Sequence, residues 1–162
     1  TPGFDAAQIA SIKLGVHPLC LRLTDRPNPP GNQLAQVSLQ HWTAAVLVRG
    51  AAGIPEGADE AVQDPAIQSV RALIDAQPDA SVGRDGAVVV VEMRDGARHE
   101  RRIEHGIGSL DRPMTDAELD AKFVDQARLS IPAANATTLL ELCRQLPALQ
   151  DVRQTLAAGA KS

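Results

Sequence analysis

His41 is the side chain whose position most suggests chemistry. It lies on a segment, from about Gln33 to Arg49, in which apolar residues recur every three or four positions, as in an amphipathic helix. The residues on that stripe are Leu34, Val37, His41, Ala45 and Val48. An imidazole on a buried stripe is usually a hydrogen-bonded core or interface residue, but it can also act as a general acid or base. Both interpretations of His41 are open at this point.

Motifs that would supply a complete active site are missing from the sequence. Ser38 lies one helical turn before His41, but the surrounding VSLQH lacks the G-x-S-x-G of a nucleophile elbow. Gly106 and Gly108 lack the third glycine of a dinucleotide-binding loop, and no G-K-[ST] phosphate loop is present. The residues alone therefore indicate a domain without a self-contained active site.

The other histidines do not predict a metal site. His17 and Cys20 have H-x-x-C spacing but no second pair, whereas zinc needs four ligands, or three and a water. His99 and His105 share one side of a predicted strand, but the strand rise separates them by roughly 20 Å. We therefore predict no metal at these histidines.

The charged run RHERRIEH, residues 98–105, has two interpretations. It is most simply the solvated face of a strand. Its arginines could instead meet a polycarboxylate substrate, since a guanidinium binds a carboxylate in a forked geometry.

The elements that must position these residues alternate between extended and helical patterns. Residues 9–24 predict extended chain with a bend between Gly15 and Pro18, because the apolar alternation changes phase there. Asn32 is the predicted cap of the His41 helix, which should end at Gly50. Asp64-Pro65 then opens a second helix that should stop before Pro78.

The second half of the chain has sharper signals. Asp95-Gly96 predicts a two-residue type I′ turn between an interior strand, residues 88–91, and a charged edge strand. Thr115 and Glu118 predict a capping box before a helix. A last helix is predicted over residues 136–146, followed by a weakly helical tail ending in AAGAKS that should fray.

These elements predict an α+β fold, with a small antiparallel sheet and helices packed mainly on one face. We predict one domain over residues 1–128 and a helical extension over residues 129–162 that packs on the same domain.

Size and composition describe an ordinary globular protein. The chain has 162 residues, 44% hydrophobic residues and a net charge of −4, and 2% of its residues are aromatic. Nucleic acid is not an expected partner, because a binder needs basic patches and often stacking aromatics. No apolar run approaches the roughly 20 residues of a membrane helix. The sequence begins at Thr1 without a methionine, and its first residues do not have the pattern of a signal peptide. Such a start suggests a processed chain or part of a longer one, and we expect a cytoplasmic location.

Three segments together carry a family pattern. The first is PPGNQLAQVSLQHWTAAVLVRG, residues 29–50; the second is Asp64-Pro65 with the strand and Asp95-Gly96 turn after it; the third is GSLDRPMTDAELDAKF, residues 108–123. In this order and spacing they resemble the C-terminal domain of the MmgE/PrpD family. That family includes 2-methylcitrate dehydratases, cis-aconitate decarboxylases and iminodisuccinate epimerases.

The resemblance implies a lid-type domain that closes over a large helical domain, which would lie outside this chain. Its members use no metal or organic cofactor, remove a proton next to a carboxylate, and then eliminate, decarboxylate or epimerise. His41 stands where the family often has a tyrosine, which makes it the candidate catalytic residue. Ser38 and Gln40 beside it are the candidate substrate-binding residues.

Three function classes follow from the sequence, and one of them is a purely structural domain whose exposed apolar patch is left by a missing domain. Another is the lid of a lyase or isomerase that acts on a small polycarboxylate. The isolated chain should then be inactive, and a homodimer is the candidate assembly. The alternative is a non-catalytic binding or interaction domain derived from that family, which would bind a ligand or partner without turnover.

Overall fold

The computed structural model describes residues 5–160, and the chain in it divides into two compact units, the first ending at Arg112 and the second beginning at Pro113. Thr1 and the last two residues of the AAGAKS tail lie outside the described residues. The predicted domain boundary between residues 128 and 129 falls inside the second unit.

The first unit begins with a 3₁₀ turn, Ala6–Gln8, and then alternates between strands and helices. Its elements in chain order are β1 Ile9–Val16, α1 Pro18–Thr24, α2 Asn32–Ala35, α3 Leu39–Arg49, α4 Asp59–Val62, α5 Pro65–Arg71, β2 Ile74–Pro78, β3 Ala87–Met93 and β4 Arg98–Ile103. A second 3₁₀ turn, Pro55–Gly57, precedes α4.

The four strands form one sheet in the order β2-β1-β3-β4. β1 pairs antiparallel with β3, and β3 with β4, but β1 and β2 run parallel. The sheet is therefore mixed, and the prediction of a purely antiparallel sheet is wrong. The helices between β1 and β2 form a crossover, which returns the chain in its original direction as parallel pairing requires. The predicted α+β class is confirmed.

Helices α3 and α5 cover one face of the sheet. Ile12, Val91 and the helix residues Ala44, Ala45, Ile67 and Val70 form one buried cluster. On the other face of β1, Lys13 is exposed. Because side chains alternate along a strand, this arrangement gives the sheet a core face and a more open face.

Two predicted elements of the first half are wrong in part. Residues 18–24 form helix α1 rather than extended chain: Pro18 occupies its first turn, and His17 caps it by accepting a hydrogen bond from the Leu19 N–H at 3.1 Å. Proline fits there because the first helical N–H has no partner within the helix. The predicted helix from Gln33 to Arg49 is two helices, and Gly31, not Asn32, precedes the first.

Strand β2 and the hairpin turn also differ from prediction. The helix that opens at Pro65 ends at Arg71, and Ile74–Pro78 is a strand that sequence periodicity assigned to the helix. The hairpin between β3 and β4 is confirmed, but its turn is not type I′, which needs positive φ at both central residues. Among the described non-glycine residues none has positive φ, whereas Gly96 has φ 87°. Hydrogen bonds from Gly96 N to Met93 O and from Met93 N to Ala97 O close a three-residue loop instead.

The second unit consists of helices α6 Asp116–Ala127, α7 Ala133–Arg144 and α8 Arg153–Ala158, with a 3₁₀ turn at Leu146–Ala148. The Thr115 side chain and Glu118 form the predicted capping box at the start of α6. Arg144 on α7 pairs with Asp116 and Asp120 of α6. Among residues 5–160, no helix combines the length and the apolar composition needed to cross a bilayer.

Candidate functional site

The N-terminus of α3 brings the three predicted site residues together. Ser38 has an extended backbone and caps α3, accepting a hydrogen bond from the His41 N–H at 3.0 Å. A serine in that position satisfies one of the free N–H groups of the first turn and stops α2 from continuing into α3. Gln40 and His41 lie in the turn that follows, and all three residues are at most 2% exposed.

Ser38 and Gln40 both bind the loop that follows α1. The Ser38 hydroxyl donates to the Arg26 carbonyl at 2.6 Å. The Gln40 amide donates to the Asp25 carboxylate at 2.7 Å, and its oxygen accepts the Arg26 N–H at 3.2 Å. These two predicted substrate-binding side chains are thus already engaged in hydrogen bonds within the domain.

His41 is fully buried and bonded through one ring nitrogen. Its Nε2 lies 2.7 Å from the carbonyl oxygen of Glu56. A carbonyl only accepts, so Nε2 carries the hydrogen, and in a neutral imidazole Nδ1 is then an acceptor. Nδ1 is buried and has no hydrogen-bond partner in the described part of the chain. The Trp42 ring contacts His41 edge to face, with 5.6 Å between centroids.

The bond from His41 fixes the turn that leads to α4. Glu56 is itself buried, and its carboxylate accepts the Gly53 N–H at 2.9 Å. Trp42 packs against the same turn, since a Cβ on Gly57 would lie 3.0 Å from the Trp42 ring. The arrangement holds two loops against the start of α3, and in this chain none of its three predicted site residues is open to solvent.

The one group of potential metal ligands in the described residues is elsewhere in the first unit. Asp85, His105 and Asp111 are all exposed, and one ligand atom of each lies within 4.8 Å of the others. His105 Nδ1 is 3.0 Å from Asp85 Oδ2 and 3.7 Å from Asp111 Oδ2. The hydrogen bond from His105 holds the pKa of the Asp85 carboxyl below its usual value. This geometry fits a hydrogen-bonded surface cluster, and the prediction of no metal stays untested.

Sequence reasoning missed two buried charged residues of this unit. Glu56 follows a proline in a loop and gave no periodic signal, although its main chain holds His41. Arg71 is 7% exposed. Its signal was its position four residues after Ile67 of the buried stripe, the spacing that places two side chains on one helix face.

Comparison with known proteins identifies the family of this domain. Residues 2–146 match the MmgE/PrpD C-terminal domain. The chain belongs to the MmgE/PrpD family. Its strongest sequence signals, the α3 segment and the capped helix α6, both lie inside the matched region.

One curated relative of this MmgE/PrpD chain is a 2-methylcitrate dehydratase of Salmonella typhimurium. The two are 26% identical over 162 aligned positions, which cover 93% of this chain and 31% of the relative. The chain therefore spans about a third of the length of that curated relative.

Proposed function

We propose that this chain is the C-terminal, lid-like domain of a longer MmgE/PrpD enzyme that acts on a small polycarboxylate. The enzyme would remove a proton next to a carboxylate and then dehydrate, decarboxylate or epimerise its substrate without a metal or organic cofactor. The observation that carries this proposal is the family match over residues 2–146. The 2-methylcitrate dehydratase relative favours dehydration of 2-methylcitrate as the first reaction to test.

The buried network around α3 supports an inactive isolated chain. Proton abstraction needs an acid and a base within hydrogen-bond reach of the substrate. Ser38 and Gln40 hold the loop at Asp25 and Arg26, and His41 holds Glu56. Groups that touch substrate would then come from a helical domain in the rest of the polypeptide.

His41 fits a positioning role within this proposal better than direct contact with substrate. Its side chain is 0% exposed, and its Nε2–H is used by a carbonyl of the same domain. A positioning histidine would keep the 53–57 turn in place beneath a surface that faces the substrate cleft. The catalytic interpretation of His41 remains a prediction that activity measurements on the longer protein can test.

The deciding experiment compares the complete protein encoded by the gene with the 162-residue chain. Both are incubated with 2-methylcitrate, whose dehydration is followed by the ultraviolet absorbance of the new conjugated double bond, and with cis-aconitate, whose decarboxylation is followed by release of CO2. We expect turnover only by the complete protein, in the presence of a metal chelator as well as in its absence.

Two results would contradict the proposal. Turnover by the 162-residue chain alone would place the active site within it. Binding of a polycarboxylate by the complete protein without any turnover would favour the alternative, a binding domain derived from the family.

Sedimentation of the complete protein tests the predicted homodimer. Fractionation of cells tests the predicted cytoplasmic location.

A further inference from the structure

Arg71 is a buried cation without a counterion among the described residues. It is the last residue of α5, and the whole residue is 7% exposed. Its NH1 nitrogen is buried and has no hydrogen-bond partner in residues 5–160. Burial alone lowers the pKa of the Arg71 guanidinium from its usual value. The side chain therefore loses most of its contact with water, completely so at NH1, and gains no carboxylate of the described residues in return.

A buried charge without a partner is unfavourable in a folded protein. Removing a charged group from water destabilises the folded state unless a partner of opposite charge and additional hydrogen bonds compensate. The acids nearest in sequence are engaged elsewhere: Asp64, at the other end of α5, binds Arg49, and Asp75 accepts a hydrogen bond from Gln77. The described residues thus leave the buried guanidinium uncompensated.

The surroundings of Arg71 place it where the chain enters the domain. The 3₁₀ turn Ala6–Gln8, which leads into β1, packs against α5. Just beyond Arg71, the Leu73 carbonyl accepts the Ile12 N–H of β1 at 3.0 Å. Helix α5 therefore packs on the turn through which the chain enters β1, and the residues just after Arg71 are bonded to β1.

We infer that Arg71 binds an aspartate or glutamate carboxylate from the part of the polypeptide that lies outside these 162 residues. This inference rests on the proposed function, in which a larger domain precedes this one. About two thirds of the length of the curated relative lies outside the aligned region, whose share of that protein is 31%. A side chain delivered when two domains dock fits a nearly enclosed guanidinium better than a diffusing substrate, which needs an open path.

Substitution of Arg71 has opposite effects on the two forms of the protein if this pairing exists. In the 162-residue chain, Arg71→Met removes an uncompensated charge, so the thermal unfolding midpoint stays the same or rises. In the complete protein, Arg71→Met leaves the docked carboxylate buried and unpaired, and we expect the midpoint to fall by about 5 °C or more. With Arg71→Lys the midpoint of the complete protein should fall less, because the positive charge is kept. It should still fall, because a lysine cannot bind both carboxylate oxygens in the forked geometry of arginine.

The matched control is Arg101→Met, which removes an equal charge from an exposed position of β4 and should leave both midpoints unchanged. A fall of similar size in both forms on Arg71→Met would overturn the inference, since the partner would then be water or a group of this chain. An unchanged midpoint in the complete protein would overturn it too. Turnover by the wild-type complete protein is measured in parallel, and its absence counts against the proposed function. The pairing is tested separately, by the difference between the effects of Arg71→Met on the midpoints of the 162-residue chain and of the complete protein.

Discussion

At the scale of single residues, the network around His41 links two loops through one imidazole. Its Nε2–H reaches the Glu56 carbonyl, and Ser38 and Gln40 reach the Arg26 main chain. Each bond is made by a side chain with almost no exposed surface. The loss of one such group leaves an unpaired partner in the interior, which costs more than the bond itself contributes.

Replacement of His41 separates a positioning role from a catalytic one. His41→Ala should lower the free energy of unfolding by about 3 kcal/mol, because it creates a cavity and frees the Glu56 carbonyl. His41→Gln can place an amide N–H near the position of Nε2. Its free energy of unfolding, measured by urea denaturation, should therefore fall clearly less than that of His41→Ala. In the complete protein, a positioning role predicts that His41→Gln retains most of kcat. Loss of kcat with a wild-type unfolding midpoint would show that His41 is catalytic.

A close approach at Gly86 gives a second test at this scale. A Cβ on Gly86 would lie 2.8 Å from the Ile103 carbonyl oxygen and 2.9 Å from that of Glu104. Both obstacles are main chain of β4 and the loop after it, so they cannot rotate away. Gly86→Ala should destabilise the chain by about 2 kcal/mol.

Gly83→Ala is the matched control for Gly86→Ala, since its Cβ would meet nothing nearer than 3.6 Å. We expect a change of at most about 0.5 kcal/mol, measured by the same denaturation curve. Equal losses at the two glycines would contradict contact with the β4 main chain as the cause of the effect.

At the scale of elements, the start of α5 combines a cap, a proline and an ion pair. Asp64 accepts the Ala66 N–H at 2.9 Å, Pro65 follows it, and Arg49 at the end of α3 binds the same carboxylate at 2.8 Å. The hydrogen bond from Arg49, followed by that from the Ala66 N–H, holds the pKa of Asp64 below its ordinary 3.8. A carboxyl group whose pKa is lower in the folded state stabilises that state at pH values above its pKa in the unfolded chain. This stabilisation is lost as the pH falls through the pKa of the folded state.

Asp64→Ala should therefore destabilise the chain by about 1 kcal/mol at neutral pH. The difference from wild type should shrink as the pH falls below 3.8, the ordinary value of the group. Asp64→Asn keeps a cap but loses the charge that pairs with Arg49, and we expect less than half of the loss. Urea denaturation at several pH values measures both variants, and a difference that grows at low pH would contradict this account.

The elements that could be predicted from sequence are those fixed by local chemistry. The Asp64-Pro65 cap, the Thr115–Glu118 capping box and the β3–β4 hairpin depend on residues a few positions apart. Strand β2 could not be predicted, because Ile74 continues the apolar stripe of α5 and the strand is defined only by pairing with Ile12 of β1. The leucines of α1 predict a strand for a related reason, since their alternation in a short helix capped by His17 is also the pattern of an extended chain.

The site was predictable only in part. Helical periodicity placed His41 on the buried stripe, and its burial agrees with the usual fate of a histidine there. The partners of Ser38, Gln40 and His41 lie in loops 12 to 15 residues away, where no repeat or motif marks them. Arg71 shows the same limit, because no local pattern indicates whether a buried cation has a partner.

At the scale of the whole molecule, the two units differ in how much apolar surface each encloses. Residues up to Arg112 contain the sheet and the cluster around Ile12, Ile67 and Val91. From Pro113 onward, the buried hydrophobic residues in the described chain are Ile131 and Ala136, and the ion pairs of Arg144 with Asp116 and Asp120 are exposed to solvent. Exposed ion pairs contribute little to stability, so the second unit should open locally at a lower free energy than the first.

Limited proteolysis of the 162-residue chain tests this difference. With a protease of broad specificity at low concentration, we expect early cleavage in the loop between β4 and α6 and between α6 and α8, with a resistant fragment that ends near Arg112. Mass spectrometry of the fragments locates the cuts, and amide hydrogen exchange should show faster exchange in α6–α8 than in β1 and β3. A resistant fragment that ends near residue 128 would support the predicted 1–128 domain instead. Uniform protection up to α7 would contradict the expected difference, and would mean that the matched region, residues 2–146, unfolds as one cooperative unit.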